Sequence, residues 1–143
     1  MNWKNGEFVI DTDRLRLDFA AIQRFLAEDS YWAKTRTPEQ TQTAIDNSIC
    51  FGLYHGERLV GFARVVSDQA TFAYLGDVFI INEYRGQALS KWLMEIIIAH
   101  PDLQGLRRWV LATRDAHGLY EQYGFGPLVH PDRWMELTAP DAY

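Results

Sequence analysis

The chain has 143 residues, 48% of them hydrophobic and 23% charged, a globular balance at the length of one domain. Lys and Arg number 14 against 19 Asp and Glu, a formal charge of −5, which speaks against a large sequence-independent nucleic-acid surface and tilts expectation toward small or cationic ligands. The single Cys50 excludes an internal disulfide framework, and the scattered His55, His100, His117 and His130 offer no metal-ligand spacing.

A reducing, cytoplasmic setting is the expectation that follows. Met1–Glu7 is polar and does not read as a secretory leader. The apolar runs Val78–Ile81 and Ile96–Ala99 fall far short of the roughly 20 residues of a spanning helix, so no membrane partner is expected. Without repeats or a Pro/Gly/Ser linker, residues 1–143 read as one domain.

In chain order, Arg14–Leu17 alternates and predicts a first short strand, after which Asp18 caps a helix carrying Ile22, Phe25 and Leu26 and ending near Asp29–Ser30. Thr37–Pro38–Glu39–Gln40 predicts a second helix to about Asn47, with Thr at the N-cap, Pro at N1 and Gln closing a capping box. Three β-like runs follow, Ser48–Tyr54, Leu59–Val66 and Thr71–Ile81, joined by short turns as an antiparallel meander. From Ala88 the period lengthens: Leu89, Trp92, Leu93, Ile96 and Ile97 share one face of a helix that Pro101 stops. Arg108–Ala112 reads as a strand, Asp115 as the cap of a helix through Tyr123, Gly124 as its left-handed C′ residue, and Arg133–Thr138 as a last strand. The order implies a mixed, mostly antiparallel sheet of six or seven strands flanked by about four helices, with a right-handed strand–helix–strand crossover.

Two segments carry candidate chemistry. At Asn82–Ser90 a strand gives way to a helix, whose unpaired N–H groups and dipole make an anion site beside Arg85; the competing reading is a plain turn with an exposed arginine. It is neither a Walker loop nor a dinucleotide fingerprint. Downstream, Ala116, Leu119, Tyr120 and Tyr123 share a helical face, which on its own describes core packing as well as function.

Together these segments resemble the GCN5-related N-acetyltransferase (GNAT) family. The loop Arg85–Gly86–Gln87–Ala88–Leu89–Ser90 is similar to the family's pyrophosphate-binding Arg/Gln-x-x-Gly-x-Gly/Ala. Thr113, Ala116, Tyr120 and Gly124–Phe125 fill the family's downstream pattern, and the likeness extends from Ser48 to Phe125. Ala88, Ser90 and Thr113 stand where the family usually has Gly, Gly or Ala, and Asn. If position 88 takes positive φ, its Cβ costs about 1 kcal/mol or more; if its φ is helical, the cost vanishes.

The resemblance implies a mixed α/β single-domain GNAT-like fold and transfer of an acetyl group from acetyl-CoA to a primary amine, of a small molecule or a lysine side chain. Transfer would proceed by direct attack through a tetrahedral intermediate, without metal. It implies that backbone groups of Val78, Phe79 and Ile80 hold the pantetheine arm, that Arg85 to Ser90 with Thr113 and Ala116 complete the acetyl-CoA site, and that Tyr120 is the acid. Period-2 alternation places Asp77 on one face with Leu75 and Phe79, an apolar setting that raises a carboxyl pKa, so Asp77 is the expected base, against a solvated or structural role. Tyr31, Trp32 and Tyr74 are the expected acceptor-binding residues; Tyr31 and Trp32 either stack on a ring or cage a cation, or close the core. Cys50, Trp109 and Trp134 read as packing, and Arg107 and Arg108 as an exposed basic pair. A different class also fits: a catalytically weak acyl-CoA-binding regulatory module. An edge strand at Arg133–Thr138 would offer a homodimer contact.

Overall fold

A computed structural model describes residues 1–143. One sheet holds six strands in chain order: β1 (Asn2–Asn5), β2 (Phe8–Asp11), β3 (Ile49–His55), β4 (Arg58–Ser67), β5 (Phe72–Ile80) and β6 (Arg108–Leu111). Neighbours are antiparallel except β5 and β6, which run parallel, as a helical crossover requires. Helices α1 (Phe19–Glu28), α2 (Pro38–Asp46), α3 (Leu89–Ala99) and α4 (His117–Glu121) flank it. This is the mixed architecture that the sequence predicts.

The sheet separates two cores. On one face Leu93, Met94 and Ile97 of α3 pack with Ile10, Phe51, Val65, Leu75 and Ile80; on the other Ile22, Phe25 and Leu26 of α1 and Ile45 of α2 cover Cys50, Tyr54, Phe62 and Phe79. Each such side chain contributes about 1.5–3 kcal/mol by leaving water. The capping residues behave as read: the Asp18 carboxylate accepts from the Ala21 N–H, and Thr37 and Gln40 form the reciprocal capping box.

Four local expectations are corrected. The sequence reading places no strand before residue 14, yet β1 and β2 form a hairpin about Gly6, whose φ of 60° suits the first position of a II′ turn. Arg14–Arg16 is a 3-10 turn rather than a strand, because Asp13 accepts from the Leu15 N–H and Leu15 itself is 95% exposed. Asp115 does not cap α4; the Thr113 hydroxyl takes the Ala116 N–H at 3.1 Å, and the helix is only five residues long. Arg133–Thr138 forms no strand: Pro131–Arg133 is a 3-10 turn and the rest is irregular, with Leu137 wholly exposed, which removes the edge expected to pair two subunits.

One irregularity sets up the site. Phe62 pairs with Phe79 but Arg64 pairs with Gly76, so Ala63 alone faces both Asp77 and Val78. This β-bulge puts Asp77 at φ 51° and slips the alternation by one residue. Leu75 thus enters the α3 core while Phe79 enters the α1 core, stacked on Phe25 at 3.9 Å.

Candidate active site

β5 and β6 pair only from Phe72 with Arg108 to Leu75 with Leu111. From Gly76 to Ile80 the edge of β5 that faced β6 has no partner strand, leaving backbone donors and acceptors for a ligand lying in the gap. At its end Asn82–Tyr84 forms a 3-10 turn, held by two Arg58–Glu83 hydrogen bonds of 3.0 and 2.9 Å and by a 2.8 Å bond between the Tyr84 hydroxyl and His55 Nδ1. Arg85 Nε donates to the Ile80 carbonyl at 3.1 Å, which keeps the guanidinium at the strand end.

α3 begins without a side-chain cap and without an acid in its first turn, so its first N–H groups and positive dipole end stay free for an anion. They border a pocket of about 80 Å³ lined by Ile80, Tyr84, Arg85, Gly86, Ala88, Leu89 and Ser90. Gly86 takes φ +82° and Ala88 φ 61°, ψ 21°. Of the two cases open for position 88, the strained one holds. Leu89 buries its side chain and offers only backbone, and Gln87 is exposed outside the pocket lining.

Asp77 is not the free carboxyl in an apolar strip that alternation suggests. Its side chain is 3% exposed; Oδ2 accepts from Arg36 at 2.7 Å and from Arg64 Nε at 2.9 Å, while Oδ1 accepts from the Trp32 indole at 2.9 Å. Burial pushes its pKa up, but the Arg36 hydrogen bond and the two guanidinium charges outweigh it and hold the carboxyl below the usual range. The expectation of a raised carboxyl pKa is corrected, and a carboxylate so engaged favours the structural alternative over the general base. Its geometry instead fastens the segment between α1 and α2 to the sheet. That segment is itself well determined: Ser30 Oγ donates to Leu26 O and accepts from Ala33 N–H, and Gln23 bonds the Arg36 carbonyl.

Tyr120 is 9% exposed and packs edge-on to Phe125. Burial, with a smaller effect of Tyr31, pushes its phenol up to about 12. The Tyr31 hydroxyl accepts from the Arg114 N–H at 2.8 Å and the Arg114 guanidinium lies 3.9 Å over its ring, so Tyr31 reaches across the gap from the α1 side to the start of α4. Trp32 stands edge-on beside it at 5.0 Å, and Tyr74 is 37% exposed on β5. Gly124 at φ +91° closes α4 as expected, and Tyr123 ties that helix to α3 through the Lys91 carbonyl at 2.9 Å.

The structure therefore brings Arg85, Gly86, Ala88, Leu89 and Ser90 together at one end of the free β5 edge, and Tyr31, Trp32 and Asp77 together by direct contact. Val78 packs on the α3 core and the Phe79 side chain points into the α1 core, so both meet the gap through their backbone. Thr113 and Ala116 meet at the start of α4. Cys50 is 2% exposed, its thiol pushed up to about 11 by burial, and packs in the core as read. Trp109 packs edge-on to Phe125, whereas Trp134, expected in a strand, lies under the Arg108 guanidinium at 4.8 Å. The sequence reading misses Arg36 and Arg64. The signal was an arginine and an aspartate inside apolar runs of two paired strands, since a buried charge demands a partner.

The sequence pattern described as the acetyltransferase (GNAT) family matches residues 19–125. A protein named as an acetyltransferase from Gibberella zeae is 32% identical over 141 residues, spanning 83% of this chain and 78% of its own length. A crystal structure from Xanthomonas campestris pv. campestris, described as a GNAT-family acetyltransferase, is 51% identical, covers 98% of this chain and 99% of its own, and superposes with a TM-score of 0.94. An acetyl-CoA-bound GNAT family acetyltransferase from Elizabethkingia anophelis, at 13% identity, shares the fold with a TM-score of 0.65 over 92% of this chain and 88% of its own. The matched region takes in both helices before the meander, the loop at the head of α3 and Tyr120, and this chain is a member of the GNAT acetyltransferase family.

Proposed function

We propose that the protein moves an acetyl group from acetyl-CoA to a primary amine, of a small molecule or of a lysine side chain. The observation that carries this reading is the unpaired stretch of β5 from Gly76 to Ile80, which ends at the uncapped start of α3. The Elizabethkingia protein of the same fold is described with acetyl-CoA bound. In this chain the loop from Arg85 to Ser90 would receive the diphosphate, and the free edge of Val78, Phe79 and Ile80 would hold the pantetheine arm by backbone hydrogen bonds.

With the phosphates on the α3 side, the amine enters from the opposite face, past Tyr31, Trp32 and Tyr74. The amine nitrogen attacks the thioester carbonyl to form the C–N bond of a tetrahedral intermediate, whose collapse breaks the C–S bond; the electron pair leaves on sulfur, which takes the Tyr120 proton, and the proton shed by nitrogen restores the phenol. Tyr120, its phenol pushed up to about 12, keeps its proton through the neutral range and offers it toward the departing sulfur. With Asp77 committed to two arginines, the amine enters neutral, its ammonium proton lost to solvent beforehand.

Calorimetric titration with acetyl-CoA at low and moderate salt, followed by thiol release over an amine panel, tests the reading. Binding in the micromolar range that weakens with salt, together with amine-dependent thiol release, is the expected result. Binding with no release would favour an acyl-CoA-binding module, for which the strained Cβ of Ala88 is the supporting feature. No binding at millimolar ligand would overturn both.

A further inference from the structure

We infer that the acceptor carries a carboxylate beside its amine, and that Arg36 and Arg64 receive it; this rests on the acetyl-transfer reading above. Both guanidinium groups donate to the same Oδ2 of Asp77, with side chains only 6% and 13% exposed. Two buried cations thus share one anion, a standing excess of positive charge that a protein interior tolerates only when something completes it. Arg64 Nη1 donates to Ser48 Oγ at 3.2 Å, a neutral partner that leaves Asp77 as the one acid on this guanidinium.

Two further observations indicate where an acceptor carboxylate would sit. Arg64 spends Nε on Asp77 and Nη1 on Ser48, which leaves Nη2 as its free donor. That nitrogen lies where β5 leaves β6: a Cβ on Gly76 would stand 3.8 Å from Arg64 Nη2 and 3.1 Å from Tyr74 Cε1, so the absence of a side chain there keeps the approach open. On Arg36 the open face is covered by the chain's own neutral Tyr143: the ring lies 5.0 Å from its guanidinium, and burial, which works against the charge, is outweighed by Asp77 with help from the Tyr143 hydroxyl. An aromatic ring bearing an oxygen acceptor already occupies this face, as a ligand of that chemistry would. The formal charge of −5 over the whole chain favours cations at long range, but a cationic group entering here would meet two guanidiniums against one carboxylate. A planar carboxylate, by contrast, matches the guanidinium fork.

The experiment compares amino acids with their own amides as acceptors, reading thiol release from acetyl-CoA. The carboxylate forms are expected to exceed the amides by about tenfold or more in kcat/KM. Arg64→Gln should collapse that ratio toward one through KM, and Arg64→Lys, which retains the charge and a donor for Asp77, should fall between. Amides equal to or better than the acids in the unmodified protein would overturn the inference, as would a ratio unmoved by Arg64→Gln. If acetyl-CoA binds but no amine is acetylated, the transfer reading fails on its own. The inference is then decided by calorimetry of the CoA-loaded protein with N-acetyl-L-tyrosine against N-acetyl-L-tyrosinamide: selective binding of the carboxylate supports it, and equal or absent binding overturns it.

Discussion

At Asp77 two effects of opposite sign act on one carboxyl: burial pushes its pKa up, and the Arg36 and Arg64 guanidiniums pull it down harder. Replacing it with Asn leaves two buried cations without an anion, so Asp77→Asn should lower unfolding free energy by about 3–5 kcal/mol in urea titrations. Because the folded pKa lies below the unfolded value, the stabilisation is complete above about pH 4 and is lost as pH falls through the folded pKa; the variant should lack that acid-side dependence. Asp77 and Tyr120 both stay in one protonation state between about pH 6 and 9. Hence kcat/KM should climb with pH along the acceptor's own ammonium titration and show no descending limb there. A midpoint that stays fixed while acceptors of different basicity are exchanged would reveal another base. Ala88 offers a third test. Its left-handed φ costs about 1–2 kcal/mol, while a glycine returns about 0.5–1 kcal/mol of chain entropy to the unfolded state. Ala88→Gly should therefore raise stability by roughly 0.5 kcal/mol and tighten acetyl-CoA binding, as thermal melts with and without acetyl-CoA would show.

The segment joining α1 to α2 is held to the sheet by one indole hydrogen bond and one ion pair, both to Asp77. Trp32→Phe keeps the ring and removes the donor, leaving Oδ1 without its partner; a loss of about 1–3 kcal/mol and faster amide exchange across residues 30–36 are expected. Exchange unchanged over that segment would mean that the Ser30 and Gln23 hydrogen bonds suffice to hold it. This contact also marks the limit of what the sequence reveals. The meander, the capped α1 and α2 and the period of α3 were legible because each rests on a local pattern repeated over several residues. The loop at the head of α3 was legible from its residue order, although the φ of Ala88 was not. The bulge went unread: inserting one residue opposite Ala63 reverses which face Asp77 and Phe79 occupy, and its one local signal is Gly76 inside the strand run just before Asp77. With the face misread, the arginines facing Asp77 went unrecognised. The first hairpin was missed for a different reason. Asn5–Gly6 is a turn signal, but the strands beside it are only four residues each and one is largely exposed.

Beyond Phe125 the chain has no strand or α-helix, yet it returns to the site. Trp134 lies under Arg108 at the β6 edge and Tyr143 over Arg36 beside the α1–α2 segment, while Met135 and Leu137 between them are 96% and 100% exposed. These two contacts tie the C-terminal stretch to the β6 edge and to Arg36, beside the residues past which the proposed acceptor would enter. Cation–π contacts of this kind contribute about 0.5–2 kcal/mol each, little enough for an acceptor to displace Tyr143. Tyr143→Ala should accordingly lower the acceptor KM by about twofold to tenfold, the equivalent of roughly 0.4–1.4 kcal/mol, and leave the acetyl-CoA dissociation constant where it was. The sign of the change separates two roles. A lower KM identifies Tyr143 as a competitor for the Arg36 face; a higher one would identify its ring as a wall of the acceptor site, contributing contacts that the substrate needs. Steady-state kinetics with one carboxylate acceptor, at saturating acetyl-CoA, distinguishes them.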